Sequence, residues 1–169
     1  EESLLGEKFS KGPILEVTPP FKTGQTISSL IAEGVLSSEF RKLKPDNLPT
    51  SFYLHQEKAI RRLITDKRNI IAATGTGSGK TEIYLIPILN ALMREKEKGT
   101  LGPGVRALLL YPMNALVNDQ LKRMRTLLVE YPDITFGRYT GETEEEQKKA
   151  EDIYIQKQKK KPLLNELIS

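Results

Sequence analysis

AATGTGSGKTE, residues 72–82, is a glycine-rich turn closing on Gly79, Lys80 and Thr81. It follows the apolar run Asn69-Ile70-Ile71-Ala72-Ala73 and precedes a long helical pattern. In that context a buried strand ends, the backbone turns sharply, and the next helix offers free N–H groups and the positive end of its dipole to an anion. Nucleotide binding is the first inference. Gly75, Gly77 and Gly79 allow close backbone approach, with Thr74, Thr76 and Ser78 between them. Lys80 supplies a point charge for the β- and γ-phosphates, and Thr81 offers a hydroxyl to Mg²⁺. The strict pattern G-x-x-x-x-G-K-[ST] has glycine where this chain has Thr74. The plain alternative is a glycine turn joining a strand to a helix. The motif speaks for nucleotide more than for function, because kinases, GTPases, transporters and motors all use it.

Composition narrows the chemistry. The 169 residues suffice for one domain with a core, or one domain plus an arm. Zero cysteines exclude disulfides, thiol nucleophiles and cysteine metal sites, and a single histidine excludes a multi-His site. Catalysis therefore falls to Lys, Ser/Thr and carboxylates with a borrowed metal ion. Lys plus Arg exceed Asp plus Glu by 26 to 22, compatible with nucleic acid without demanding it. No apolar run approaches the roughly 20 residues of a membrane span, and no secretory signal is visible, so the expected compartment is the cytoplasm. The chain starts without Met and stops at Ser169 inside a helical pattern, which suggests a piece of something longer.

In chain order, residues 1–25 are dense in Gly and Pro and read as an arm with short extended pieces such as Ile14-Leu15-Glu16-Val17. Two short helices are expected from Ile27, Leu30, Ile31, Val35 and Leu36, broken at Gly34, and from Phe40 and Leu43. Residues 44–51 form a linker, which places an arm at 1–50 and a nucleotide-binding unit at 51–169. Leu54, Ala59, Ile60 and Leu63 predict a helix over 52–63. The first strand and the loop follow, then a helix from about 79 to 96 containing Pro87, a strand at 105–111, a helix from 112 to about 130, and a third strand at 134–139. Thr143, with Glu146 as capping-box partner, opens a charged helical region. The order β-α-β-α-β-α implies an α/β fold with a parallel sheet and ligand at the carboxyl ends of the strands.

Several stretches share one resemblance. TGTGSGKTE (74–82) resembles motif I of superfamily-two DEAD/DEAH-box helicases, where the first position is often not glycine. FYLHQEKAI (52–60) looks like the upstream Gln motif, which would give Gln56 the reading of adenine's N6 and N7 edge; an amide offers a donor and an acceptor side by side. Taken singly, Gln56 reads first as a surface helix residue, and taken with the loop the reading turns to adenine; His55 reads as a capping or packing histidine. YPMNALVNDQ (111–120) is similar to motif Ia, P-T-x-A-L-x-x-D-Q, with Met113 in place of Thr. In the family this helix start touches the nucleic-acid backbone, which points to Pro112 and Asn114, with Asn118 as a further substitute for the lost hydroxyl. Lys122, Arg123 and Arg125 extend that track or form a solvated face. YTGET (139–143) resembles Y-x-G-D-T and adds Gly141. More loosely, GPILE and LIAEGVLSSEF, within 12–44, look like the arm of large bacterial helicases, several of which serve phage defence.

The resemblance implies a partial RecA-like P-loop NTPase domain preceded by an extended and helical arm. Its cofactors would be ATP and Mg²⁺, its partner nucleic acid, with DNA favoured over RNA, and Lys80 and Thr81 would be catalytic. Such a motor also needs an Asp-Glu motif and a second RecA-like domain; the sequence contains no Asp-Glu dipeptide. The expectation is an N-terminal part that binds nucleotide weakly and does not turn it over. Two readings of other classes stand beside it: a non-catalytic fragment or adaptor that keeps the fold, and a P-loop kinase, for which no acceptor site or arginine lid is identifiable.

Overall fold

The computed structural model describes residues 20–43, 48–141, 143 and 149. The expected Ile14–Val17 extended piece and the charged helix beyond Thr143, with its Glu146 capping partner, lie outside them.

The described chain opens with a strand, β1 (Thr23–Thr26), that pairs antiparallel with β2 (Ser51–Tyr53), Thr23 opposite Tyr53 and Thr26 opposite Ser51. This hairpin-like pair was not expected, because the linker reading of 44–51 rested on prolines and said nothing of a partner. Helix α1 (Ile27–Ala32) starts at Thr26, whose side chain accepts from the Ser29 N–H. It ends where Gly34 takes a left-handed φ of 75°. The second short helix is a 3₁₀ turn, Ser38–Lys42, capped by the Ser37 hydroxyl on the Glu39 N–H. Helix α2 (Leu54–Ile64) starts two residues later than expected because Ser51–Tyr53 is strand.

Helix α3 (Lys80–Glu97) is the centre of the molecule, and it continues through Pro87. That proline supplies no N–H to the preceding turn. Helix α4 (Asn114–Leu127) begins beyond Pro112. One apolar cluster gathers Leu30, Leu36 and Phe40 from the arm, Phe52 and Ile60, Leu85, Leu89 and Met93 from α3, and Leu127, Tyr131 and Ile134. The core therefore runs without a break across residue 50.

The expected parallel sheet is not formed among the described residues. Residues 69–75, 105–111 and 135–140 carry no ladder, and the two-stranded antiparallel pair is the only sheet among the described residues. Ile71, Val105, Leu108 and Leu110 are 98%, 85%, 77% and 84% exposed. An apolar run reports a preference for burial, whereas pairing depends on neighbours that the run itself does not encode.

Polar ties fasten the arm to α3. Asn90, 2% exposed, accepts the Ser37 N–H at 2.7 Å, and Arg94 Nη2 donates to the Gly34 carbonyl at 2.6 Å. A second set joins the arm to α2: Glu57 accepts the Gln25 N–H at 2.8 Å, and Arg61 bonds both Glu57 (2.9 Å) and Glu33 (2.6 Å). The Arg61 guanidinium, assisted by Gln25, holds the Glu33 carboxyl below its usual range. These ties leave α2 and the start of α3 facing each other across the loop.

Candidate nucleotide site

The glycine loop sits between the end of α2 and the first turn of α3. Gly77 and Gly79 take φ values of 75° and 72°, which L side chains rarely adopt, and Gly79 is the N-cap of α3. No side chain caps this helix, so its first N–H groups are left for an anion. A Cβ on Gly77 would meet nothing within 4 Å, whereas one on Gly79 would come within 2.2 Å of Gln56 Nε2. The loop is thus open on one side and closed against α2 on the other.

Within the loop, Lys80 Nζ donates to the carbonyls of Thr74 (2.8 Å) and Gly75 (2.6 Å), so its ammonium folds over the turn. Thr74 Oγ1 bonds Ser78 Oγ at 2.6 Å, and Ser78 is fully buried. The hydroxyl at position 74 therefore braces the loop, a role that glycine could not fill. Thr76 is exposed, and Thr81 is half-buried in the first turn of α3.

Helix α2 supplies the back wall. Gln56, 3% exposed, donates from Nε2 to the Gly79 carbonyl at 2.8 Å and accepts the Tyr53 N–H at 2.7 Å. The second bond is half of a capping box, the third helical residue reaching back to the N-cap. Glu82, in the first turn of α3, lies 3.5 Å from Gln56 Nε2 and forms an ion pair with Arg123 of α4. Arg123 is thereby committed to α3 and not to a solvent-facing track. His55 stands next to Gln56, its Nε2 2.9 Å from the Ser78 carbonyl. Its ring stacks on Tyr53 with centroids 5.7 Å apart and meets Phe21 at 5.2 Å. Lys22, Leu54, His55 and Lys58 line a shallow hollow of about 230 Å³ beside it.

The structure thus brings Gln56, Thr74, Gly75, Ser78, Gly79 and Lys80 together. Phe21 and Glu82 join them without having been expected, and His55, expected only to cap or pack, reaches the loop as well. The signal for His55 was its adjacency to Gln56 in the first turn of α2; Phe21 had none, since its partner Tyr53 is reached only through the β1–β2 pairing.

The donor set suits a polyphosphate: a glycine turn open at Gly77, uncapped helix N–H groups and one ammonium. No group of three or more His, Cys, Asp or Glu that could hold a metal occurs among the described residues. A divalent ion would therefore depend on the phosphates and the Thr81 hydroxyl.

The residues of the motif Ia resemblance lie apart from this cluster. Pro112 and Asn114 are exposed at the start of α4, whose N-cap Met113 makes no side-chain cap bond. Asn118 accepts from Arg138 at 2.6 Å. Tyr111, whose phenol is pushed above its ordinary value by burial and by its bond to Tyr84, ties this segment to α3 at 2.9 Å. Gly141 is exposed at the turn after 135–140, where the Thr143 hydroxyl accepts the Thr140 N–H at 2.8 Å.

Comparison with known proteins points to one family. The family model described as DEAD/DEAH box helicase matches residues 53–162. Druantia protein DruE of Escherichia coli (strain UMEA 4076-1) is 38% identical over 154 residues, covering 81% of this chain and 8% of that protein. ATP-dependent RNA helicase DBP9 of Meyerozyma guilliermondii is 33% identical over 137 residues, covering 72% of this chain and 23% of its own length. ATP-dependent helicase HRQ1 of Saccharomyces cerevisiae is 30% identical over 110 residues, 63% of this chain and 9% of that protein. The chain thus spans less than a quarter of each of these relatives. No solved structure gives a significant match.

Proposed function

The chain belongs to the DEAD/DEAH box helicase family, and from that premise we propose that it is the ATP-binding and nucleic-acid-binding segment of an ATP-dependent DNA helicase or translocase of the cytoplasm. The observation that carries the reading is the loop itself. Gly77 and Gly79 hold left-handed conformations, and Lys80 Nζ lies over the Thr74 and Gly75 carbonyls at the uncapped start of α3. A triphosphate offers that ammonium stronger, charged acceptors than two neutral carbonyls.

ATP would be held by Thr74 to Thr81, with Lys80 against the β- and γ-phosphates and the Thr81 hydroxyl toward Mg²⁺. When bound, Mg-ATP supplies the phosphoanhydride whose hydrolysis drives a motor of this kind. Gln56 completes the set. Its amide is 3% exposed and bonded to the Tyr53 N–H, the Gly79 carbonyl and Glu82, so it would have to turn outward from these partners to read an adenine edge. Pro112, Asn114 and Gly141 would touch the nucleic-acid backbone, an assignment supported by their exposure and by the uncapped start of α4. The preference for DNA rests on the family resemblance alone, and competition between single-stranded DNA and RNA on the parent protein decides it.

Family membership implies a RecA-like α/β fold. We propose that 69–73, 105–111 and 134–139 pair in a parallel sheet in the parent protein. Lacking an Asp-Glu motif, this chain binds nucleotide without turning it over. Calorimetric titration with Mg-ATP tests both parts. Lys80→Ala should weaken binding at least tenfold, since charge-assisted bonds to phosphate contribute about 1.5 to 3 kcal/mol. Unchanged binding refutes the site, and ATPase activity abolished by the same substitution refutes the lack of turnover.

A further inference from the structure

We propose that His55 is a positioning residue of the phosphate loop: it holds the Ser78 carbonyl so that the N–H of Gly79 faces the anion. The proposal rests on the nucleotide reading above and assigns a second device to the same site. Two adjacent side chains at the start of α2 reach two consecutive carbonyls of the loop, His55 Nε2 to Ser78 O at 2.9 Å and Gln56 Nε2 to Gly79 O at 2.8 Å. Because the carbonyl can only accept, the histidine Nε2 carries the proton and donates it. In a trans peptide the C=O and N–H point to opposite sides. Drawing the Ser78 carbonyl toward α2 therefore turns the Gly79 N–H away from α2, and drawing the Gly79 carbonyl the same way does so for Lys80 N–H. Both N–H groups then stand on the open side of the loop, where successive donors make an anion-binding concavity.

The ring is held for this purpose. Tyr53 stacks on it with an interplanar angle of 20°, and Phe21 meets it at 58°. Ser78 is fully buried, so a carbonyl that loses its donor has no ready substitute in water. The relief is rotation of the 78–79 peptide, which carries the Gly79 N–H out of its place. His55 thus acts on phosphate through the backbone and makes no contact with the base.

That distinction fixes the experiment. Affinities of the chain for inorganic tripolyphosphate, Mg-ATP and Mg-GTP are measured by calorimetry for the wild type, His55→Phe, His55→Ala and Lys80→Ala. Phenylalanine keeps the stack on Tyr53 and Phe21 and removes only the donor. His55→Phe should weaken all three ligands by the same factor, about fivefold for one lost hydrogen bond, and His55→Ala by at least as much. In the wild type, a long-range ¹H–¹⁵N spectrum should show the chain's one histidine protonated at Nε2 with a slowly exchanging proton.

Tripolyphosphate affinity unchanged in His55→Phe, a loss confined to Mg-ATP, or a histidine protonated only at Nδ1 each overturns the proposal. If His55→Phe fails to fold, the wild-type spectrum still decides. Lys80→Ala separates the two levels. If it binds tripolyphosphate as the wild type does, the phosphate-loop reading itself fails; if it alone loses binding, only the role of His55 falls.

Discussion

Gly79 shows most directly how one residue type makes the site. Its φ of 72° costs an L residue about 1 to 2 kcal/mol, and an added Cβ would also meet Gln56 Nε2 at 2.2 Å. Gly79→Ala should therefore lose about 2 to 3 kcal/mol in urea unfolding, the conformational strain plus the displaced Gln56 bond. Gly77→Ala, at φ 75° but with nothing within 4 Å, should lose only the strain, about 1 to 2 kcal/mol. Equal losses in the two variants would mean that Gln56 does not close the loop. The glycine loop over 74–81 could be located in the sequence because a glycine turn at a helix start is a local pattern; Gln56 came from the separate stretch 52–60, and the fold places it against Gly79. His55 was read as a packing or capping histidine, and half of that is right: it packs on Tyr53, but its polar end serves the loop. No local pattern connects positions 55 and 78; only the fold brings them to 2.9 Å.

At the scale of elements, what positions the loop is the fastening of α3 to the arm and to α2. Asn90 sits on the buried side of α3 among Ile86, Leu89 and Met93, where its Oδ1 satisfies the Ser37 N–H. Asn90→Leu keeps the branching at Cγ but leaves that N–H unpaired, and should lower stability by about 1 to 3 kcal/mol in thermal unfolding. About two turns further, Glu97 accepts the hydroxyls of Ser37 at 2.6 Å and Ser38 at 3.0 Å, which hold its carboxyl below the ordinary value of 4.5. A lowered folded value means that the contribution is fully present above pH 4.5 and is lost as pH falls through the lowered value. Glu33, lowered by Arg61, adds to the same slope. Glu97→Gln should accordingly flatten, without abolishing, the decline of the melting temperature below pH 4.5; an unchanged acid limb would show the serine bonds to be inconsequential. Helical periodicity located α2, α3 and α4 to within two or so residues at most ends. It could not give β2, because three residues that pair with an arm thirty positions earlier have no period of their own.

Across the whole molecule, the helices have found their core and the apolar extended segments have not. Leu30, Ile60, Leu89 and Met93 are fully buried, while Leu108 and Leu110, which share one face of an extended run, stand 77% and 84% exposed. Helices complete their hydrogen bonds internally and need neighbours only for their apolar stripe, whereas a parallel strand needs partners for its backbone and cover for both faces. The VRALLLY run was expected to be a buried strand; here it forms no ladder among the described residues and stands exposed, because an apolar run does not encode the neighbours that would cover it. Exposed apolar runs with unpaired edges favour association, so the chain should self-associate as its concentration rises, visible as growing mass in light scattering. Leu108→Lys combined with Leu110→Lys should suppress that growth and change unfolding stability by less than about 0.5 kcal/mol, as for any exposed position. In the parent protein, where we propose that this run enters a parallel sheet, the same pair should destabilise by several kcal/mol, because two ammonium groups would have to be buried unpaired. A large loss of stability in this chain, or none in the parent, would reverse the assignment of where the 105–111 segment finds its partners.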